Sequence, residues 1–114
     1  MENLLDTFKC FSDETRLRIV MLLHNKELCV CELCNIMNVS QPKVSKHLSK
    51  LREVGIVKDE RDAKWIFYYL NIEDEVFNEL LDKIAKNISK YPVLQNDFNR
   101  FGNRQRDYKE LCKN

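Results

Sequence analysis

Only two glycines, Gly55 and Gly102, and two prolines, Pro42 and Pro92, punctuate the 114 residues. A β-sandwich needs turn signals about every ten residues. Phosphate loops and dinucleotide fingerprints need clustered glycines. This chain has the residues for none of them. Its only histidines are His24 and His47, which excludes HExxH sites and most triads. What remains is a small, mainly helical (α+β) domain. With 44% hydrophobic and 32% charged residues, the chain suits one folded domain rather than a disordered one. Its longest aliphatic run, Ile19 to Leu23, is far short of the ~20 residues that cross a bilayer. Met1 is followed by Glu2 and Asp6 rather than by a basic, apolar leader. The expected location is cytoplasmic, with no membrane partner.

The five cysteines are Cys10, Cys29, Cys31, Cys34 and Cys112. An odd count with three close together makes a poor disulfide framework. Reduced, clustered thiols point instead to a thiophilic ion.

The 19 basic and 18 acidic residues nearly cancel, but they are segregated. Ser40 to Arg52 holds Lys43, Lys46, Lys50 and Arg52 and no acid. Glu73 to Asp82 holds Glu73, Asp74, Glu75, Glu79 and Asp82 and no base. A basic stripe on one helix is the footprint of phosphate binding.

Along the chain, Leu4, Leu5, Phe8 and Phe11 fall at helical spacing. Ser12 is suited to cap a second helix running to about Leu23, with Leu17, Val20 and Met21 on its apolar face. His24 to Glu27 reads as a polar connection. Val30, Leu33 and Met37 mark the next helix, and Asn38-Val39 a short break. Ser40 caps another helix, with Pro42 in its first turn and Val44, Leu48 and Leu51 buried. Gly55 is its left-handed stop. Two short helices around a tight turn, the second basic, make a helix-turn-helix. Ile56-Val57-Lys58 and the aromatic run Trp65 to Leu70 read as a hairpin with a charged Arg61-Asp62-Ala63-Lys64 turn. The expected architecture is therefore a winged helix-turn-helix with a two-stranded wing. Val76, Leu80, Leu81, Ile84 and Ile88 form an amphipathic last helix that Pro92 ends. The domain is expected over residues 1–91. Residues 92–114 are expected as a polar tail, either a short helix or mobile.

Advancing about 100° per residue from Val44, Pro42, Ser45, Lys46 and Ser49 face outward, with Lys43 and Lys50 on one shoulder. Ser40 and Gln41 lie at the end that recognition helices present to bases. Gln and Lys suit purine edges, and Ser suits bases or phosphates. His47 lies nearer the core, and both a local hydrogen bond and a phosphate contact stay open for it. Arg61 and Lys64 on the wing are placed to grip phosphate or the minor groove. Trp65 reads as core.

Glu27-Leu28-Cys29-Val30-Cys31-Glu32-Leu33 and Ser40-Gln41-Pro42-Lys43-Val44-Ser45-Lys46-His47-Leu48 together resemble the ArsR/SmtB repressors, and among them those of arsenical resistance. The likeness runs from about Leu5 to Leu70. It implies a homodimer paired through its terminal helices. The dimer would repress its operon and release operator DNA when As(III) or Sb(III) binds, needing no other cofactor. The inducer site implied is Cys29, Cys31 and Cys34, with Cys34 either a third ligand or merely adjacent. Trivalent arsenic is soft, which selects thiolates, and its lone pair favours three sulfurs where zinc wants four ligands. Residues two apart on a regular helix differ by about 200°. Cys29 and Cys31 therefore converge only if the helix start unwinds. Ala63 stands where the family usually has Gly, so a looser wing tip is expected.

One rival keeps the scaffold and the cysteines, as a DNA-binding protein with no inducer or a thiol-oxidation sensor. Metalloid titration of the DNA complex separates it. The others differ in the site. A Cd/Pb-responsive repressor on this scaffold uses thiols ahead of the first helix, whereas Cys10 stands at that helix's end. A zinc sensor wants His beside the last-helix carboxylates, and none is there. A CxxC oxidoreductase, using Cys31 and Cys34, needs a preceding strand in a βαβ unit. No enzyme activity is expected.

Overall fold

The structure is a computed structural model that describes residues 2–103; Cys112 and the rest of 104–114 lie outside the described residues. The element order is α1 (Glu2–Phe11), α2 (Glu14–Asn25), β1 (Leu28–Cys29), α3 (Val30–Met37), α4 (Gln41–Glu53), β2 (Val57–Asp62), β3 (Trp65–Leu70), α5 (Glu75–Lys86), a 3-10 turn (Ile88–Lys90) and α6 (Pro92–Asn103).

The core is built around α2. Ile19, Val20, Met21, Leu22 and Leu23 are all buried, so this stretch of the helix is apolar all round, not along the single face expected. A helix surrounded by partners behaves that way. Here α1, α3, α4, α5, α6 and β3 all pack on it. Each fully buried aliphatic side chain contributes about 1.5–3 kcal/mol of burial. Its cap is Asp13, not Ser12: Asp13 Oδ2 accepts from the Arg16 N–H at 3.0 Å. The Ser12 hydroxyl instead donates back to the Lys9 carbonyl at 2.7 Å. The helix also runs two residues beyond Leu23, taking His24 and Asn25 out of the expected connection.

Helices α3 and α4 form the helix-turn-helix. Asn38, at φ 55°, closes α3 in the left-handed conformation, which Asn tolerates better than most residues. Ser40 precedes α4 with Pro42 in the first turn. Val44, Leu48 and Leu51 are buried as expected. Gly55, at φ 84°, ends the helix, and the Ile56 N–H returns to the Leu51 carbonyl at 3.0 Å.

The wing is a hairpin with one addition. β1 pairs antiparallel with β3, Leu28 opposite Tyr68 and Cys29 opposite Phe67. The sheet therefore has three strands in the order β1-β3-β2. A two-residue strand has no period to read in a sequence. β2 extends through Asp62 opposite Trp65, so Arg61 and Asp62 belong to the strand and only Ala63-Lys64 turn. A charged edge strand is stable because its outer side meets water and resists further pairing. The tip is tight rather than loose, with Ala63 held at φ 58°.

Pro92 does not merely end the amphipathic helix. α5 stops at Lys86, and Pro92 opens α6, whose Leu94 and Asp97 are buried. As far as Asn103, the segment expected as a tail is a helix packed on α2 and α3, inside the same core. Its apolar signal was thin because a buried ion pair does part of the docking. Asp97 accepts from Arg18 Nε and Nη2, both at 2.8 Å, and from Arg100 Nη2 at 3.1 Å. The same guanidiniums cap the end of α3: Arg18 Nη2 donates to the Met37 carbonyl at 2.8 Å and Arg100 Nε to that of Ile36. Among the described residues no helix is long and apolar enough to cross a membrane.

Candidate nucleic-acid interface and thiol cluster

Helix α4 exposes the face expected of it except at Ser45. Ser40, Gln41, Pro42, Lys43, Lys46, Ser49 and Lys50 are exposed, and Ser45 is half-buried. The Ser40 side chain makes no capping bond. On the wing, Arg61 and Lys64 are exposed, and Lys64 Nζ lies 5.4 Å from the half-buried Trp65 ring. Arg52 Nη1 donates to Asp59 Oδ2 at 2.8 Å, which ties the end of α4 to β2. The basic helix and the wing thus belong to one hydrogen-bonded unit.

His47 is held by a partner from a different helix. Its Nδ1 is 3.3 Å from Arg16 Nη1 and 3.8 Å from Asp13 Oδ2, and its side chain is only 12% exposed. Burial pushes the imidazole pKa down, opposed by Asp13 and reinforced by Arg16, Lys46 and Lys43. Arg16 was not among the residues expected to matter. Its contact with His47 spans 31 positions, and no local pattern encodes such a pairing.

The three thiols stand at one joint. Cys29 is at once the last residue of β1 and the N-cap of α3, in extended conformation (φ −88°, ψ 168°). It is therefore already outside the helix, and the 200° separation from Cys31 does not apply as expected. What holds it is a capping box. Buried Glu32 accepts from the Cys29 N–H through Oε1 at 3.1 Å, while the Cys29 side chain faces the Glu32 backbone N–H. The sequence held only half of the signal for Glu32: a Glu three positions on, but after a Cys rather than one of the usual capping residues. Cys29 is buried, and Cys31 and Cys34 are half-buried. Burial raises the Cys34 thiol pKa, and Cys31 and Cys29 raise it further. Even so, no three of the Cys, His, Asp or Glu side chains among the described residues are gathered tightly enough to hold an ion. A cleft lined by Glu27, Glu32, Glu60, Arg61 and Phe67 runs between this joint and the wing.

A helix-turn-helix whose second helix is basic, followed by a hairpin packed against it, is the architecture of winged-helix DNA-binding regulators. The family described as bacterial regulatory protein, arsR family, matches residues 13–59. The arsenical resistance operon repressor of Escherichia coli (strain K12) is 52% identical over 65 residues, covering 56% of each chain. The cadmium resistance transcriptional regulatory protein CadC of Listeria innocua is 44% identical over 64 residues, 55% of this chain and 54% of that one. Each match thus spans little more than half of the relative's length. Among solved structures, the transcriptional repressor BigR from Xylella fastidiosa superposes with a TM-score of 0.66 at 32% identity, over 75% of this chain and 85% of that one. The chain belongs to the ArsR family of bacterial transcriptional regulators. The fold and relatives are those of DNA-binding regulators rather than enzymes, and Cys31-x-x-Cys34 sits within a helix-turn-helix instead of a redox βαβ unit.

Proposed function

We propose that the chain is a cytoplasmic, homodimeric repressor that binds operator DNA through α4 and the wing. It releases the DNA when trivalent arsenic or antimony is captured by Cys29, Cys31 and Cys34. Ser40, Gln41, Ser45, Ser49, Lys43, Lys46 and Lys50 form the reading face, with Arg61 and Lys64 on the wing; His47 joins them in the role argued below. The observation that carries this reading is the double role of Cys29. Its backbone pairs with the wing strand at Phe67 and its side chain caps α3, and α3 packs on α4. Three soft donors suit a soft, three-coordinate ion. To converge on one ion, Cys29 must leave its capping box or its strand pairing. Either change disturbs the wing and the helix-turn-helix together. An inducer that favours the disturbed form shifts the population away from DNA. A coupling of about 1–3 kcal/mol changes DNA affinity about 5- to 150-fold. The cadmium-type reading has less support, because the described thiol outside this cluster, Cys10, is buried in the core.

The test is anisotropy of a labelled duplex from the promoter of the chain's own operon, titrated with arsenite under a non-thiol reductant. Cys29→Ser and Cys31→Ser should bind DNA normally but no longer release it. Serine is too hard a ligand for a soft ion, yet it is itself a good N-cap, so α3 should persist. Cys34→Ser should show a weaker defect, since a small exogenous thiol can fill its position. Lys43→Ala and Lys46→Ala should weaken binding and lower its salt slope by about 1 for each phosphate no longer neutralised. Full release by the Cys29→Ser/Cys31→Ser double variant would reject the inducer site.

A further inference from the structure

The contact between His47 and Arg16 fixes where the imidazole keeps its proton. A guanidinium carries five N–H donors and no acceptor. Its approach to Nδ1 at 3.3 Å is a hydrogen bond when that nitrogen carries a lone pair. In the tautomer that accepts this bond the ring is neutral and its single proton is on Nε2. Arg16 is itself anchored: Nε donates to the Cys10 carbonyl at 3.1 Å and Nη2 to that of Lys9 at 3.5 Å. The guanidinium thus bridges the last turn of α1 to the reading helix. Asp13, at 3.8 Å from Nδ1, is too far to take a hydrogen bond from it.

The other ring nitrogen takes no part in these contacts. No described residue hydrogen-bonds Nε2, and no buried side-chain nitrogen or oxygen among the described residues is left without a partner. Nε2 is therefore not fully sealed from solvent, in a side chain that is 12% exposed. Positions 43, 47 and 50 follow the i, i+4, i+7 rule for one helical face, and Lys43 and Lys50 are exposed there. An N–H donor beside two ammonium groups meets an anionic oxygen.

We propose that Arg16 is a positioning residue for DNA binding: it fixes the His47 tautomer and so leaves Nε2–H as an outward donor to a backbone phosphate beside Lys43 and Lys50. The inference rests on the reading of α4 as the DNA-binding helix. It also separates two kinds of phosphate contact. The lysines release counterions on binding, whereas a neutral imidazole does not.

Two measurements test it. In the free protein, nitrogen-15 spectra of the imidazoles should show His47 neutral and protonated on Nε2 at neutral pH. Arg16→Met should give a mixture of tautomers and easier protonation, with Asp13, Lys43 and Lys46 as the remaining charges facing the ring. In DNA binding, His47→Asn keeps an acceptor near the Nδ1 position but has no donor at Nε2. It should lose about tenfold in affinity, the scale of one hydrogen bond to a charged group, with an unchanged salt slope. His47→Gln places an amide N–H near Nε2 and should recover most of that loss. A proton on Nδ1, a charged ring at neutral pH, or wild-type affinity in His47→Asn would overturn the proposal. So would a salt slope that falls with the affinity. If the lysine substitutions also leave binding unmoved, the fault lies in the reading of α4. If they act as expected while His47→Asn is silent, it lies in this inference alone.

Discussion

His47 holds its proton less tightly in the fold than in the unfolded chain, because burial lowers its pKa more than Asp13 raises it. The unfolded state then binds more protons, so stability rises with pH across the titration. The His47 contribution is complete above about 6.5, the ordinary imidazole value, and is lost as pH falls below it. Asp13 works in the same sense at lower pH. Its capping bond from the Arg16 N–H holds the carboxyl below its usual range, so its contribution disappears only as acid protonates it. Urea midpoints should fall between pH 7 and pH 5.5 in the unmodified chain. His47→Gln should flatten that fall while leaving the more acidic loss due to Asp13 in place.

At the scale of elements, α3 is held at both ends by groups outside itself. Its start is capped by Cys29, which also belongs to the sheet. Its last carbonyls take hydrogen bonds from Arg18 on α2 and Arg100 on α6. Both guanidiniums meet at Asp97, which is 1% exposed. Removing one partner of a buried pair strands the other charge, at a cost of about 3–5 kcal/mol. Arg18, only 11% exposed, would be the stranded group. Asp97→Ala should therefore lower stability by about that amount in chemical denaturation. It should also loosen the end of α3, seen as faster amide exchange at Asn38 and Val39. Stability like that of the unmodified chain would show that α6 is docked by Leu94 and its apolar neighbours alone.

For the whole molecule, four of the seven large apolar side chains left exposed among the described residues lie on two helices, the others being Val54, Tyr91 and Val93. Leu5 and Phe8 on α1 are about half exposed, and Val76 and Leu80 on α5 are 61% and 37% exposed. The two helices meet where Phe8 stacks edge-on against Phe77, with ring centroids 5.2 Å apart. Leu81, on the same helix, is fully buried in the core. A two-fold operator needs two reading helices about one DNA turn apart. We expect this α1/α5 surface to pair two copies of the chain. Leu5→Glu combined with Val76→Glu should shift the sedimenting species from dimer to monomer at micromolar concentration. The double variant should keep its helical circular dichroism and bind operator far more weakly. A chain that sediments as a monomer without these changes would reject the pairing.

Local signals determined much of this protein. The Val44, Leu48 and Leu51 stripe, the left-handed stop at Gly55 and the aromatic strand from Trp65 to Leu70 were legible because each rests on periodicity, one backbone conformation or β-propensity. The exposed lysines of α4 followed from the same periodicity, and Cys29, Cys31 and Cys34 could be singled out by their spacing. Other features depended on partners distant in the chain. The strand Leu28–Cys29 exists only because β3 offers it hydrogen bonds. The five buried residues in a row on α2 reflect neighbours on every side. Ala63 accepts a left-handed φ because the strands on either side pair up to Asp62 and Trp65. α6 is fixed by a carboxylate whose main partner, Arg18, lies 79 positions earlier. Arg16 reaches His47 in the same way. Local patterns report what a segment prefers, but a buried polar contact is defined only once the fold removes water from both partners.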